Sequence, residues 1–200
     1  DRAVREPWRL AAAILNQLGR NEEAIFRFDQ FPMAKPLLKL LHSPSSLEYT
    51  SSCGRLFDAA AALLGICWQS SYEGQAAMQL ESLVTNTDIL SDGWTFKQNN
   101  LSLLPLLKNL ADQPSPIHGA NLFHGTLIAS LAEWLSHHCQ HQQVNQVVLS
   151  GGCLANRVLS SGLYKALKQQ NITPYLPQQL PPNDGGISLG QAWLTGLIVT

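Results

Sequence analysis

The sequence predicts a helix-rich α/β protein, with an α-helical first part (1–143) and a last quarter (144–200) that runs strand, helix, strand, helix. Three observations carry this expectation. Up to residue 143 the apolar residues recur mostly at helical spacing. Beyond it, Val144 to Leu149 is rich in β-branched residues, runs into two glycines, and is followed by a helical stretch and a second short strand, an order that implies a parallel pair. Finally, 200 residues of which 45% are hydrophobic suffice for one sizeable core or two small lobes.

Each element has its own signal. A first helix is bounded by Pro7, suited to a first turn, and by Gly19, suited to a left-handed stop; Trp8, Ala11, Ala12, Leu15 and Leu18 form its apolar face. A second short helix is expected over 22–28. A third starts at Pro36, runs through Leu37, Leu38, Leu40 and Leu41, and ends at the turn-prone His42-Ser43-Pro44-Ser45. The polar loop 49–54 feeds a helix over 55–64 closed by Gly65, and another helix is expected over 72–83. Residues 94–97 form a short strand. Two strongly apolar helical stretches, 101–111 and 122–141, are joined by the loop 113–116. After the strand 144–149 come a helix over 156–168, a strand over 173–176, the loop 177–186 and a last helix through Leu197.

Composition excludes several classes of function. Thirteen basic against fourteen acidic residues leave a net charge of −1, with no general attraction to nucleic acid or to anionic membrane. Charged residues make up 14%, against about 25% in soluble domains, so part of the surface is expected to face other protein. Four scattered cysteines (Cys53, Cys67, Cys139, Cys153) contain no C-x-x-C pair, which excludes a knuckle-type zinc site and gives no disulfide framework; a cytoplasmic location is expected. No apolar run approaches the roughly 20 residues that span a bilayer, and no signal peptide is evident. The opening Asp1-Arg2-Ala3, without an initiator methionine, suggests a segment of a longer polypeptide.

Three motifs have the residue types for chemistry. In Val147-Val148-Leu149-Ser150-Gly151-Gly152-Cys153-Leu154-Ala155-Asn156-Arg157, a buried strand ends in two glycines ahead of a helix. Backbone N–H groups at such a turn favour phosphate, and glycine permits close approach. The motif lacks the Gly-Lys-Ser/Thr ending of a Walker A loop and is not G-x-G-x-x-G, so a tight turn without ligand is the alternative. In Thr50-Ser51-Ser52-Cys53-Gly54-Arg55-Leu56-Phe57-Asp58-Ala59, Arg55 and Asp58 lie one turn apart. The carboxylate suits ribose hydroxyls and the guanidinium suits phosphate; the alternative is a serine N-cap with an ordinary ion pair. In Pro181-Pro182-Asn183-Asp184-Gly185-Gly186, Asp184 is a candidate oxygen ligand for a metal, although Asn-Asp-Gly is also a common turn. His137 and His141, four apart, read as a polar helix end rather than a metal pair.

Taken in this order, the motifs resemble the C-terminal part of the HypF family of hydrogenase-maturation carbamoyltransferases. The matching stretches are Arg5-Glu6-Pro7-Trp8-Arg9, the Thr50 to Ala59 motif, Ser71-Tyr72-Glu73-Gly74-Gln75-Ala76-Ala77-Met78, Ser150-Gly151-Gly152 with Asn156-Arg157, and Leu176-Pro177 through Gly186. The resemblance implies part of an actin-like ATPase (ribonuclease H-like) fold, related to tRNA threonylcarbamoyl-transfer proteins, with 144–200 as the nucleotide-site part. It also implies a reaction: an upstream domain makes carbamoyl-adenylate from carbamoyl phosphate and ATP. This type of domain passes the carbamoyl group to a C-terminal cysteine of the partner HypE, on the way to the cyanide ligands of nickel–iron hydrogenase.

Carried over by position, Gly151, Gly152 and Asn156 would lie along the nucleotide, Asp58 near its ribose and Arg55 near the phosphate or carbamoyl end. Asp184 would be a ligand of a divalent metal (zinc, iron or magnesium), whose histidine ligands lie upstream of everything present here. The expected partners are HypE and upstream domains of the same polypeptide, not nucleic acid or membrane, and the separate chain is expected to be inactive. Two alternatives stand beside this reading: a related transferase acting on a tRNA adenosine or an antibiotic hydroxyl, and a non-catalytic docking piece using the low-charge helices 101–141.

Overall fold

The element order is helical up to residue 94 and mixed thereafter, in a computed structural model that describes residues 2–43, 49–97 and 99–199. A single turn, α1 (Arg2–Arg5), precedes α2 (Trp8–Gln17), α3 (Asn21–Arg27), α4 (Ala34–Leu41), α5 (Cys53–Leu63) and α6 (Gln75–Ser82). A small hairpin, β1 (Thr95–Lys97) with β2 (Asn100–Ser102), leads to α7 (Leu104–Ala111) and the long α8 (Pro116–Gln142). Then come β3 (Gln146–Val148), a 3-10 turn (Gly152–Ala155), α9 (Arg157–Gln169), β4 (Thr173–Tyr175), a second 3-10 turn (Asp184–Gly186) and α10 (Ile187–Val199).

Most expected elements are present with shifted ends. Pro7 stands directly before α2, and Gly19 and Gly65 take φ of +75° and +71° after their helices. The third helix begins at Ala34, ahead of Pro36; Pro44 and Ser45, expected to end it, lie outside the described residues. α6 starts at Gln75 rather than Tyr72 because Gly74 before it is left-handed, at φ +79°. Two corrections concern residues 100–122. The expected helix over 101–111 begins only at Leu104, since Asn100–Ser102 pairs antiparallel with β1. The expected loop 113–116 ends one residue early, because α8 starts at Pro116 and not at Leu122. There the Oγ of Ser115 accepts from His118 N (3.3 Å), a side-chain cap ahead of a first-turn proline.

The chain forms two compact units, 1–130 and 131–200, divided within α8. In the first, Trp8 stacks on Phe31 (ring centroids 4.7 Å apart, 1° between planes), and Trp68 meets Phe28 and Phe31 edge-on. The Arg9 guanidinium lies 4.7 Å over the Trp8 ring. From Phe57 to Leu63 every residue of α5 is buried, four of them alanines, so α2, α6 and α7 can approach its backbone closely.

The first half of α8 is buried from Gly119 to Leu127 and carries a polar staple. The Asn121 side chain accepts from the N–H groups of Thr85 (3.0 Å) and Asn86 (3.3 Å) and donates to the Thr85 hydroxyl (3.1 Å) and the Asn86 side-chain carbonyl. One turn on, Thr126 Oγ1 accepts from Leu90 N (2.9 Å). These bonds hold the segment 85–90 so close that a Cβ on Gly125 would fall 2.2 Å from the Asp88 carbonyl oxygen. His124, fully buried, donates from Nδ1 to the Ala120 carbonyl (2.9 Å); burial pushes its pKa below the usual histidine value.

In the second unit β3 and β4 are parallel, with Gln146, Val147 and Val148 opposite Thr173, Pro174 and Tyr175, as the strand–helix–strand order predicts. Leu163 and Leu167 of α9 pack with Leu149, Ile172, Ala132 and Cys139. None of the four cysteines is in a disulfide, and no described helix is long and apolar enough to cross a membrane.

The Gly125 contact gives a test. Gly125→Ala is expected to cost about 1–3 kcal/mol, seen as a fall of several degrees in Tm, because the obstacle is backbone. Gly190→Ala, whose Cβ meets nothing within 4 Å, is expected to leave Tm unchanged or slightly higher.

Candidate functional site

The second unit builds its candidate site at the C-terminal edge of the parallel pair, where α/β sheets commonly take ligands. Past the paired residues, Leu149 N still donates to the Tyr175 carbonyl (2.8 Å), carrying both strands to the same edge. Gly151 then takes φ +113°, a value that side chains avoid, although a Cβ there would meet nothing. Its N–H points at the loop 181–186 and donates to the Pro182 carbonyl at 2.6 Å. Two of the three motifs, separate in sequence by thirty residues (151 and 182), are thereby joined two residues from Asp184.

The Gly151 N–H is engaged within the protein, so it is not itself a donor for an anion in this conformation. Gly152 opens the 3-10 turn that follows, and Leu154 N returns to the Gly151 carbonyl (3.0 Å). Asn156 is buried and caps α9: its Oδ1 accepts from Leu159 N at 2.8 Å. That oxygen is committed to the helix, which shows a structural duty for a residue singled out as a nucleotide contact. In the third motif Asn183 Oδ1 accepts from Gly185 N (3.0 Å), the turn that Asn-Asp-Gly favours, and Asp184 projects into solvent.

Arg55 and Asp58 belong to the first unit. Ser52 sits at the N-cap of α5 in an extended conformation but makes no side-chain capping bond, so the serine cap of the alternative reading is absent. Arg55 Nη1 and Asp58 Oδ2 stand 2.9 Å apart, an ion-pair distance, yet the angles are outside those of a hydrogen bond and neither atom has another hydrogen-bond partner. Burial raises the Asp58 pKa to about 6, with the Arg55 charge opposing in part. A buried carboxylate held short of hydrogen bonds is a feature more typical of binding sites than of frameworks.

No group of three or more histidine, cysteine, aspartate or glutamate side chains able to hold a metal occurs among the described residues. Asp184 alone falls short of the several oxygen or nitrogen ligands a divalent ion takes from protein. The described residues therefore do not by themselves fit a metal. What sequence reasoning missed is the Gly151–Pro182 bond and the Asn121 staple; both join distant segments, and no local pattern signals them.

Two outcomes check these roles. A carboxyl group whose folded pKa is raised contributes stability below its unfolded pKa and loses it as pH rises through the folded value. Asp58→Asn is therefore expected to gain Tm relative to the parent sequence more at pH 7 than at pH 4; an equal difference at both pH values would refute the burial cost. Asn156→Ala is expected to cost about 1 kcal/mol as a lost cap, and Asn156→Ser to restore most of it, with thermal melts as the measurement.

The carbamoyltransferase family described as "Carbamoyltransferase, Kae1-like Domain, second subdomain" matches residues 1–191. The carbamoyltransferase HypF of Rhizobium leguminosarum bv. viciae is 43% identical over 193 residues, covering 96% of this chain and 25% of that protein. HypF2 of Cupriavidus necator is 39% identical and covers 97% and 28% respectively. The crystal structure of full-length HypF in its phosphate- and nucleotide-bound form superposes with a TM-score of 0.84 at 28% identity, over 99% of this chain and 27% of that one. The chain thus spans about a quarter of the length of these relatives. Its architecture is that of a partial Kae1-like α/β domain, and by the match over nearly its whole length the chain belongs to the HypF carbamoyltransferase family.

Proposed function

We propose that this chain is the nucleotide-site part of a carbamoyltransferase that binds carbamoyl-adenylate and delivers the carbamoyl group to the C-terminal cysteine of HypE. The observation that supports it most is the Gly151 N–H to Pro182 carbonyl bond, which joins the glycine turn and the Asp184 loop at one edge of the parallel pair. The relative solved with phosphate and nucleotide has the same fold at 28% identity.

In this reading the cysteine sulfur forms a bond to the carbamoyl carbon, the carbon–oxygen bond to the adenylate phosphate breaks, AMP leaves, and the thiol proton passes to solvent. Charge builds on the departing phosphate, and fixed donors that face it lower the barrier. Gly152 lets the backbone come close to the phosphate, and the Asn156 cap holds the start of α9 beside it. The Asp58 carboxylate accepts from ribose hydroxyls, and the Arg55 guanidinium balances phosphate charge. Such bonds would supply the partners that the Arg55–Asp58 pair lacks. Asp184 offers one oxygen ligand to a divalent ion whose remaining ligands come from elsewhere in the longer polypeptide.

In the full-length parent, Asp184→Ala is expected to lower carbamoyl transfer to HypE at least about a hundredfold, followed by mass spectrometry of HypE. Carbamoyl-adenylate synthesis, followed by pyrophosphate release, is expected to stay near its original rate. Equal loss of both steps, or loss of neither, contradicts the role.

A further inference from the structure

At the opposite, N-terminal edge of the parallel pair the second unit has a hollow that the proposed transfer reaction does not use. Two helices end there side by side. α8 and α9 each close on a left-handed residue, Gln143 (φ +55°) and Asn171 (φ +59°), and the chain then enters a strand. Val144 N donates to the Cys139 carbonyl (2.9 Å) and Ile172 N to the Leu167 carbonyl (3.0 Å), the same Schellman closure made twice. Thr173 N donates to the Asn145 carbonyl (2.7 Å) and ties the two exits together. Between them lies a cavity of about 460 Å³, a size that suits a small molecule.

The lining selects the chemistry of an occupant. Five carboxamides, those of Gln140, Gln143, Asn145, Gln170 and Asn171, surround a floor of Cys139 and Ile172, each 5% exposed. No other described residue hydrogen-bonds any of these five side chains, so their C=O and N–H groups are open to whatever enters. No carboxylate, amine, guanidinium, imidazole or aromatic ring lines the cavity. An anion meets no cation there, and both helices present the negative ends of their dipoles. A divalent cation finds no carboxylate, and a nucleobase finds no aromatic face to stack on. A carboxamide is best answered by a neutral group that carries N–H and C=O side by side, which pairs with it through two parallel bonds. Gln143 points the same way, because glycine is the favoured residue at a left-handed helix stop and glutamine is strained there. We infer that this cavity is a second binding site, at the other end of the strands from the candidate nucleotide site, for a small neutral molecule bearing a primary amide or ureido group. The inference does not rest on the carbamoyl-transfer reading.

The test is saturation-transfer NMR of N-acetylglutaminamide, a neutral compound with two primary amides, on the full-length parent. The measurement is repeated with excess AMP present, and with sorbitol, a neutral polyol, in place of the amide. A saturable signal at millimolar N-acetylglutaminamide is expected, unchanged by AMP and absent for sorbitol. Gln143→Gly and Asn171→Gly keep the left-handed turns, so each is expected to leave Tm unchanged or slightly higher. Each is also expected to weaken binding of the amide about tenfold, the loss of one or two hydrogen bonds. No saturable signal up to tens of millimolar, displacement by AMP, an equal signal from sorbitol, or binding untouched by both glycine variants would each overturn the proposal. Should one variant lose its fold, the other variant and the unaltered parent decide. A parent that binds N-acetylglutaminamide but transfers no carbamoyl group would refute the functional reading and leave this one standing.

Discussion

The bond from the Gly151 N–H to the Pro182 carbonyl is the constraint on which the second unit's site depends. A two-stranded parallel pair has little to fix the loops beyond its ends. Here the positive φ of Gly151 turns its amide toward the later loop, so the strand's exit and the Asp184 turn form one surface rather than two. The same turn delivers the chain to the 3-10 segment and to the Asn156 cap, which sets where α9 begins. One glycine conformation therefore places a strand end, a helix start and a carboxylate loop together.

The first unit solves its burial problem differently. Along α8 its core bonds the polar groups it buries: Asn121 satisfies the turn at Thr85 and Asn86, and Thr126 satisfies Leu90. Against that background Asp58 stands out, since its neighbour Arg55 is near in distance but misaligned. Desolvation outweighs the attraction between them, which is why the carboxyl pKa rises instead of falling.

Much of this was legible in the sequence, and the failures share a cause. The glycine stops after α2 and α5, the parallel strands and α9 follow from local signals that act within a few residues. The start of α8 is marked in Ser115-Pro116 as well, although its densest apolar run begins only at Leu122. β2 was hidden because Leu101 and Leu103 continue an apolar rhythm that suits a helix, while its pairing with Thr95–Lys97 is what holds Asn100–Ser102 extended. The candidate residues were visible as types; their occupations were not. Asn156 carries no mark that distinguishes a helix cap from a ligand contact until Leu159 N is seen bonded to it.

The run Ala59-Ala60-Ala61-Ala62, each 3% exposed or less, has a consequence for how this chain can diverge. Methyl groups at that seam leave no slack, so enlarging any one of them displaces a neighbouring backbone instead of filling a gap. Drift along α5 is thereby confined to its half-buried opening residues, Cys53 to Leu56, where a change does not require rebuilding the bundle.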